Sequence, residues 1–419
     1  RIWPRLPQDT VEFPSPGIGH FAGSSQSNSP EKSMAESVFD VVVIGGGPAG
    51  AMASLSLAQS GYSVCLVERR AFPRETLCGE FLSHEVIGII RDLGIEREFL
   101  LLGPTPITKF AVCPDRGPML SESLGFTAYG LKRGAFDQFL LNAAVKHGVH
   151  ILQPADAETI IRRGNGFEIQ CRLNDATRTL QSRWCIGAYG KASPLDKRLH
   201  RSFAGTRTQL NGIKFHVPSA SLVGMNADEI RIFTGPDMYC GINHVDSGIA
   251  TICFLERRRG DDVSPRARLR ELAAANKHFA DVVGGPVMSE VDDAPIYGTG
   301  NIYFGKRNVV ENGVFMVGDA AQVISPLAGD GIGMALQGAQ LLGTLFREHR
   351  HSGRAAATLE VEYRNRWERT FTSRLRAAAA LQRIMLSTPL RRLGTTLLSL
   401  SPSLLRVAIS MTRGHARYR

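Results

Sequence analysis

Residues 39–50 read Phe39-Asp40-Val41-Val42-Val43-Ile44-Gly45-Gly46-Gly47-Pro48-Ala49-Gly50, and the fold depends on how they are read. Val41 to Ile44 is a continuous β-branched run, the pattern of a parallel strand covered on both faces rather than one half exposed to water. Gly45, Gly47 and Gly50 then take the G-x-G-x-x-G spacing, and a small-residue, apolar stretch with helical character runs from Ala49 to Ala58. The first glycine permits a tight turn, the second lets a pyrophosphate approach the backbone, and the third lets the helix pack on the strand. The helix start, with Pro48 and Ala49 in its first turn, adds free N–H groups and the positive end of the dipole.

Three glycines fall into this register by accident often enough in a chain that contains 43 of them, so the surroundings decide. Gly61 closes the helix, Tyr62 to Val67 reads as a second strand, and Glu68 stands at its end, 18 positions beyond Gly50. That is where a dinucleotide-binding unit places the acid that accepts hydrogen bonds from the adenosine ribose, with Arg69 next to it. A carboxylate there repels a ribose 2′-phosphate, so the nucleotide is FAD or NAD rather than NADP.

The rest of the composition bounds the molecule. The 419 residues, 43% of them apolar, suffice for two domains or one large two-part domain with a substantial core. Seven scattered cysteines without a C-x-x-C pair argue against a disulfide framework or a zinc site and for a reducing, cytoplasmic compartment. No metal site is expected. No run of 18 uninterrupted apolar residues occurs, so no membrane-spanning helix is expected. The net charge of +10 comes from the C-terminal part: residues 344–419 hold fifteen Arg against four Glu, a balance of +11. With the remainder near neutral and no recognisable nucleic-acid module, nucleic-acid binding is not expected.

Residues 1–36 form an N-terminal segment rich in Pro, Ser and Gly, read as disordered; Met34 lies just before the first strand. After the nucleotide unit, Ser83 is a good N-cap for a helix that Gly94 ends, which leaves Cys78 and Gly79 in the loop before it. A thiol so placed is either reactive or a small packing residue. Lys132 to Gly148 reads as an amphipathic helix whose first turn carries Arg133, an unfavourable end for a cation unless an anion faces it. Short strands follow through 149–186. The stretch from Gln209 to Glu256 is mostly β, Arg266 to Val283 reads as a helix, and Ala294 to Phe304 returns as strands. A second glycine-rich passage, Gly318-Asp319-Ala320-Ala321 and then Pro326 to Gly333, links the strand Val314–Val317 to a long helix beginning near Gly331. A second helix N-terminus approached through glycines suits another contact with a long dinucleotide, and Asp319 could bond a sugar hydroxyl.

Taken together, the Gly45 to Gly50 fingerprint, Arg133-x-x-Phe136-Asp137-x-x-Leu140 and Gly318-Asp319 to Gly333, in this order, resemble flavoproteins of the para-hydroxybenzoate hydroxylase type, a superfamily that includes geranylgeranyl reductases and flavin-dependent halogenases. The resemblance implies an α/β fold: a Rossmann-like FAD-binding domain from 37–205 and 295–350, an inserted mainly β substrate domain from 206–294, and an arginine-rich helical region from 351–419. It implies that Glu68 binds the adenosine ribose and Asp319 the ribityl chain. The turn with Pro326, Gly329, Gly331, Ile332 and Gly333 would meet the pyrophosphate and flavin edge, and Arg133 would lie near the phosphates. Tyr189 stands where the hydroxylases carry an acid of an Asp-Gly pair, and only one glycine fingerprint is present. NAD(P)H is therefore expected to bind only transiently as electron donor.

Three functions follow. Favoured is a monooxygenase that hydroxylates or epoxidises an apolar small molecule through oxygen added at flavin C4a. The alternative is a reductase of C=C bonds in an isoprenoid-like substrate, because Cys78-Gly79-Glu80 resembles the Cys-Gly motif of the geranylgeranyl reductase branch; a non-catalytic flavin-binding protein is the third. Cys78 and His244 are the candidate catalytic side chains. Arg374 to Met411 mixes apolar clusters with Arg383, Arg391, Arg392 and Arg406, and reads as a helical cap or as a peripheral membrane contact.

Overall fold

The computed structural model describes residues 37–400 except 175, 247, 261, 262, 353 and 354. The N-terminal segment and the tail from 401, with Arg406, lie outside the described residues. The strand Ser37–Ile44 runs parallel to Val64–Val67 on one side and Ala176–Gly187 on the other, so that Val41 faces Val64 and Trp184. Val41, Val42 and Val43 are fully buried, as the β-branched run requires. The sheet continues through His150–Leu152 at one edge and through Val314–Met316 and Val310–Glu311 at the other. An antiparallel pair, Asp156–Arg163 and Gly166–Leu173, joins it through Ala176–Gly187. The helices Pro48–Gln59, Arg133–Lys146 and Gly331–Ser352 pack together beside this sheet. The α/β fold with a nucleotide-binding βαβ unit is thus the one the sequence implies.

The second sheet has the order Tyr297–Thr299, Leu210–Pro218, Ile249–Arg257, Met238–Asp246, Glu229–Gly235, Thr105–Cys113, Leu120–Gly130, Phe81–Leu82. The expected substrate domain of 206–294 is therefore too narrow, because this sheet takes three strands from 81–130 and one from beyond 294. The reason is register: Glu229–Gly235 pairs in parallel with Thr105–Cys113, which closes the sheet through a segment distant in sequence. One face of the sheet packs on the helices Pro265–Ala275, Lys277–Val283 and Gly285–Asp293 through Met238, Cys240, Ile242, Leu272 and Phe279. The other face carries Tyr239, Ile232 and Leu255, which cluster with Ile302.

Two further expectations are adjusted. The single helix read over 266–283 breaks at Asn276, whose Oδ1 caps the second piece at Phe279 N (3.0 Å) while its Nδ2 donates to the carbonyls of Cys113 and Thr234 (2.9 Å each). A buried asparagine that caps one helix and ties two strands gains more bonds there than inside a helix. Of the strands read over 294–304, only Tyr297–Thr299 forms. The C-terminal region is helical over Ala356–Leu386 and Thr388–Leu400, with Pro389 in the first turn of the latter. Its Met385 and Leu386 join the apolar cluster around Tyr239, and Arg391 is buried against Asp115 at 3.2 Å.

Candidate functional site

A cavity of about 650 Å³ runs between the two sheets, within the range of small-molecule and cofactor sites. Its upper part is made from the two glycine passages. Gly45 has φ +109, in the region that side chains rarely adopt, and turns the chain out of the first strand. Gly47 is the N-cap of Pro48–Gln59 without a side-chain cap, and no acid stands in the first turn. A Cβ on Gly47 would meet nothing nearer than the guanidinium nitrogens of Arg74 at 3.7 Å and Arg133 at 3.8 Å. The open backbone, uncapped helix start and two guanidiniums make a place for a pyrophosphate.

Glu68, nearly buried, accepts from Gly46 N at 2.7 Å and Arg70 N at 2.9 Å and faces Arg74 at 3.4 Å. It lines the cavity together with Arg69, which is exposed. Opposite, Gly318, Asp319, Pro326, Gly329, Gly331 and Ile332 all line the cavity, and the helix Gly331–Ser352 starts there as the sequence indicates. Pro48 and Ala49 line it too, while Gly50 sits behind them under the turn. Two helix N-termini and a glycine-lined wall therefore converge on one elongated space, and these residues fit FAD.

Arg133 is engaged from both sides. Its Nε and a terminal nitrogen bind the buried Asp137 carboxylate at 2.7 and 2.8 Å, one helical turn on. Burial works against the Arg133 charge, but Asp137 and Cys78 beside it more than compensate and hold it above the usual arginine range. Arg133 is thus a cation placed on the cavity wall by an internal carboxylate, and Arg74, 3.8 Å from the same Asp137, is its unanticipated companion.

The lower part of the cavity is apolar, with Leu77, Phe81, Ile230, Ile232, Tyr239 and Leu255 on its wall. Cys78 lines the cavity beside Arg133, its Sγ accepting from Glu80 N at 3.3 Å. His244 is placed elsewhere. Tyr239, Gly241 and Asn243 of its strand line the cavity, and the period-two alternation puts His244 on the opposite face, where its Nδ1 meets Ser219 Oγ at 2.8 Å. Burial lowers the His244 pKa. Its candidacy as a cavity acid rested on the end of a strand whose parity the sequence leaves open; at that end the side chain on the cavity is Asn243.

Sequence reading also missed a buried charged cluster under the Cys78 loop. Glu80 has φ +57 and a fully buried side chain. Its carboxylate contacts Lys214 Nζ (2.8 Å), His216 Nε2 (2.6 Å), Arg133 N (2.9 Å) and Thr251 Oγ1. Burial alone would raise its pKa, yet the His216 hydrogen bond and the Lys214 charge overcome it and take Glu80 from 4.5 to about 2. A carboxylate lowered on folding stabilises the fold above its unfolded pKa and loses that contribution as pH falls through the folded one. Between pH 4.5 and about 2, wild-type stability should therefore fall by on the order of 3 kcal/mol more than that of Glu80→Gln, read by chemical denaturation.

Comparisons agree with this geometry. A family model described as "FAD binding domain" matches residues 38–375. Digeranylgeranylglycerophospholipid reductase 1 of Methanopyrus kandleri is 28% identical over 365 residues, covering 80% of this chain and 87% of the relative. An uncharacterized aromatic compound monooxygenase, YhjG of Bacillus subtilis, is 23% identical and covers 73% of this chain and 60% of the relative. Among solved structures, a geranylgeranyl bacteriochlorophyll reductase-like protein from Thermoplasma acidophilum superposes with a TM-score of 0.68 at 18% identity, covering 84% of this chain and 88% of the other, a likeness of fold. Among the described residues, no helix is long and apolar enough to cross a membrane.

Proposed function

The chain belongs to the family of FAD binding domains, and from that premise we propose that it is a reductase that saturates a C=C bond in an apolar, isoprenoid-like substrate, with a pyridine nucleotide as transient electron donor. It is an FAD-dependent oxidoreductase; the choice of reaction is the proposal. The observation that carries it is Cys78 on the wall of a cavity that the two glycine passages and a set of apolar side chains line together. A Cys-Gly loop on that wall would border both the cofactor and the substrate. The M. kandleri reductase matches over nearly its whole length, which reverses the order of preference drawn from sequence alone. The oxygenase remains the second reading, supported by the B. subtilis relative.

Bound FAD would supply the two-electron chemistry. The chain's own residues do the rest. Gly47, the helix start behind it, Arg74 and Arg133 would hold the pyrophosphate, and Glu68 would accept from the ribose. Phe81, Ile230, Ile232 and Leu255 exclude water from the reacting bond, and Cys78 abuts the substrate and can donate its thiol proton there.

The test is anaerobic incubation of the reduced holoenzyme with a geranylgeranyl lipid or diphosphate, followed by mass spectrometry. A gain of two hydrogen masses per double bond supports the reductase. A gain of one oxygen mass with an apolar or aromatic substrate, appearing only when air is readmitted, overturns it in favour of the oxygenase. Cys78→Ala is expected to keep its flavin and lose turnover by about 10²-fold.

A further inference from the structure

The cluster under the Cys78 loop is more than a packing detail. Its polar contacts form an unbroken chain: His216 Nε2 to Glu80 Oε2 at 2.6 Å, Glu80 Oε1 to Lys214 Nζ at 2.8 Å, and Lys214 Nζ to Glu75 Oε2 at 2.8 Å. The chain has one end outside the cavity and one end on its wall. His216 is about 15% exposed and does not line the cavity, whereas Glu75, about 26% exposed, does. Between them, the Glu80 and Lys214 side chains are wholly buried.

Stability alone does not call for this arrangement. A buried ion pair is often replaceable by apolar residues without loss, and Glu80 is held in a left-handed backbone conformation, a strain that tends to collect at functional sites. Nor do Glu75, Glu80 and His216 make a metal site here, because the Lys214 ammonium already bridges both carboxylates. The other groups facing the chain include Thr251, the Arg133 backbone N–H, the Tyr297 ring 4.9 Å from Lys214 Nζ, and the half-buried Cys253 thiol.

We propose that His216, Glu80, Lys214 and Glu75 form a proton relay that carries protons from solvent into the cavity. The inference deepens the reductase reading and rests on it for the proton's destination. Saturating a C=C bond forms two C–H bonds: bound reduced FAD would supply the hydride for one, and the other takes the Cys78 thiol proton, which Glu75 then restores. The transfers run together: Lys214 reprotonates Glu75 while Glu80 reprotonates Lys214 and His216, drawing on water, reprotonates Glu80, so Glu80 stays a carboxylate and Lys214 an ammonium between turnovers. The electrons return to FAD from a pyridine-nucleotide-class donor.

The experiment uses the FAD-loaded protein without substrate. Reduced methyl viologen delivers electrons and no proton, so its mixing with the weakly buffered holoenzyme forces any proton gained on flavin reduction to come from solvent. Flavin bleaching and a pH-indicator dye are followed together by stopped flow. In the wild type, proton uptake should keep pace with bleaching. In Glu75→Gln and in His216→Gln it should lag at least tenfold, with flavin content unchanged, and added imidazole should restore the pace in His216→Ala. Uptake that keeps pace in both Gln variants overturns the relay. These variants sit at the two ends of the chain, so the result stands even if Glu80→Gln fails to fold. A wild type that shows the coupled uptake but saturates no geranylgeranyl substrate sinks the reductase reading and leaves the relay standing.

Discussion

Gly50→Ala should yield protein with little or no bound flavin: an FAD Kd raised at least about 10²-fold, and a fold destabilised by about 3 kcal/mol or more. The added Cβ would lie 1.8 Å from the Gly45 carbonyl oxygen and 3.1 Å from the Ala188 Cβ, and neither can yield cheaply. Gly45 is itself pinned by its N–H to Val67 O at 2.8 Å, and Ala188 N bonds Ile44 O at 2.8 Å, so the turn is held from the strands on both sides. The helix Pro48–Gln59 must move instead, and with it the N–H groups and dipole aimed at the pyrophosphate. Gly88→Ala is the control: it adds a methyl to the helix His84–Asp92 with no neighbour within 4 Å, and should be neutral or stabilising by about 0.5–1 kcal/mol. Visible flavin absorbance relative to protein absorbance, with denaturation curves, reads both variants. Equal flavin content in the two would mean that the close strand–helix packing at Gly50 is not what forms the site.

That site was legible where backbone chemistry dictates residue type. A turn that passes a helix start under a phosphate needs glycine at fixed spacing, so Gly45, Gly47 and Gly50, and again Gly329 and Gly331, could be found without coordinates. What escaped were side chains brought together by sheet register. Lys214 and His216 lie 134 and 136 positions from Glu80. The alternation Lys214-Phe215-His216-Val217 says that two polar residues share a face, but a polar face of a strand normally meets water, and here it meets a buried carboxylate. His244 failed for a related reason. Which face of the strand Met238–Asp246 looks into the cavity depends on the partners it pairs with, and a shift of one residue exchanges His244 for Asn243. The strands over 105–130 were missed because their place in the second sheet comes from pairing with Glu229–Gly235, more than a hundred positions away.

Arg374→Met is expected to lower stability by about 3–5 kcal/mol, the usual cost of breaking a buried ion pair from one side. Arg374 reaches from the helix Ala356–Leu386 to Asp330 Oδ2 and to Gln337 Oε1, each at 2.8 Å, and both members of the ion pair are almost inaccessible. Asp330 stands between Gly329 and Gly331, both of which line the cavity, and its other oxygen faces Ser83 Oγ at 3.4 Å. Loss of the guanidinium therefore leaves a desolvated charge in the turn that would meet the cofactor, and weaker FAD binding should accompany the lower stability. Asp330→Asn added to Arg374→Met should recover most of the loss, because removing both charges of a buried pair is commonly close to neutral. Denaturation midpoints and FAD titrations of the wild type, the single and the double variant complete the measurement. A single variant that loses less than about 1 kcal/mol and keeps its FAD affinity would mean that the C-terminal helices merely cover the domain, with no part in shaping the turn.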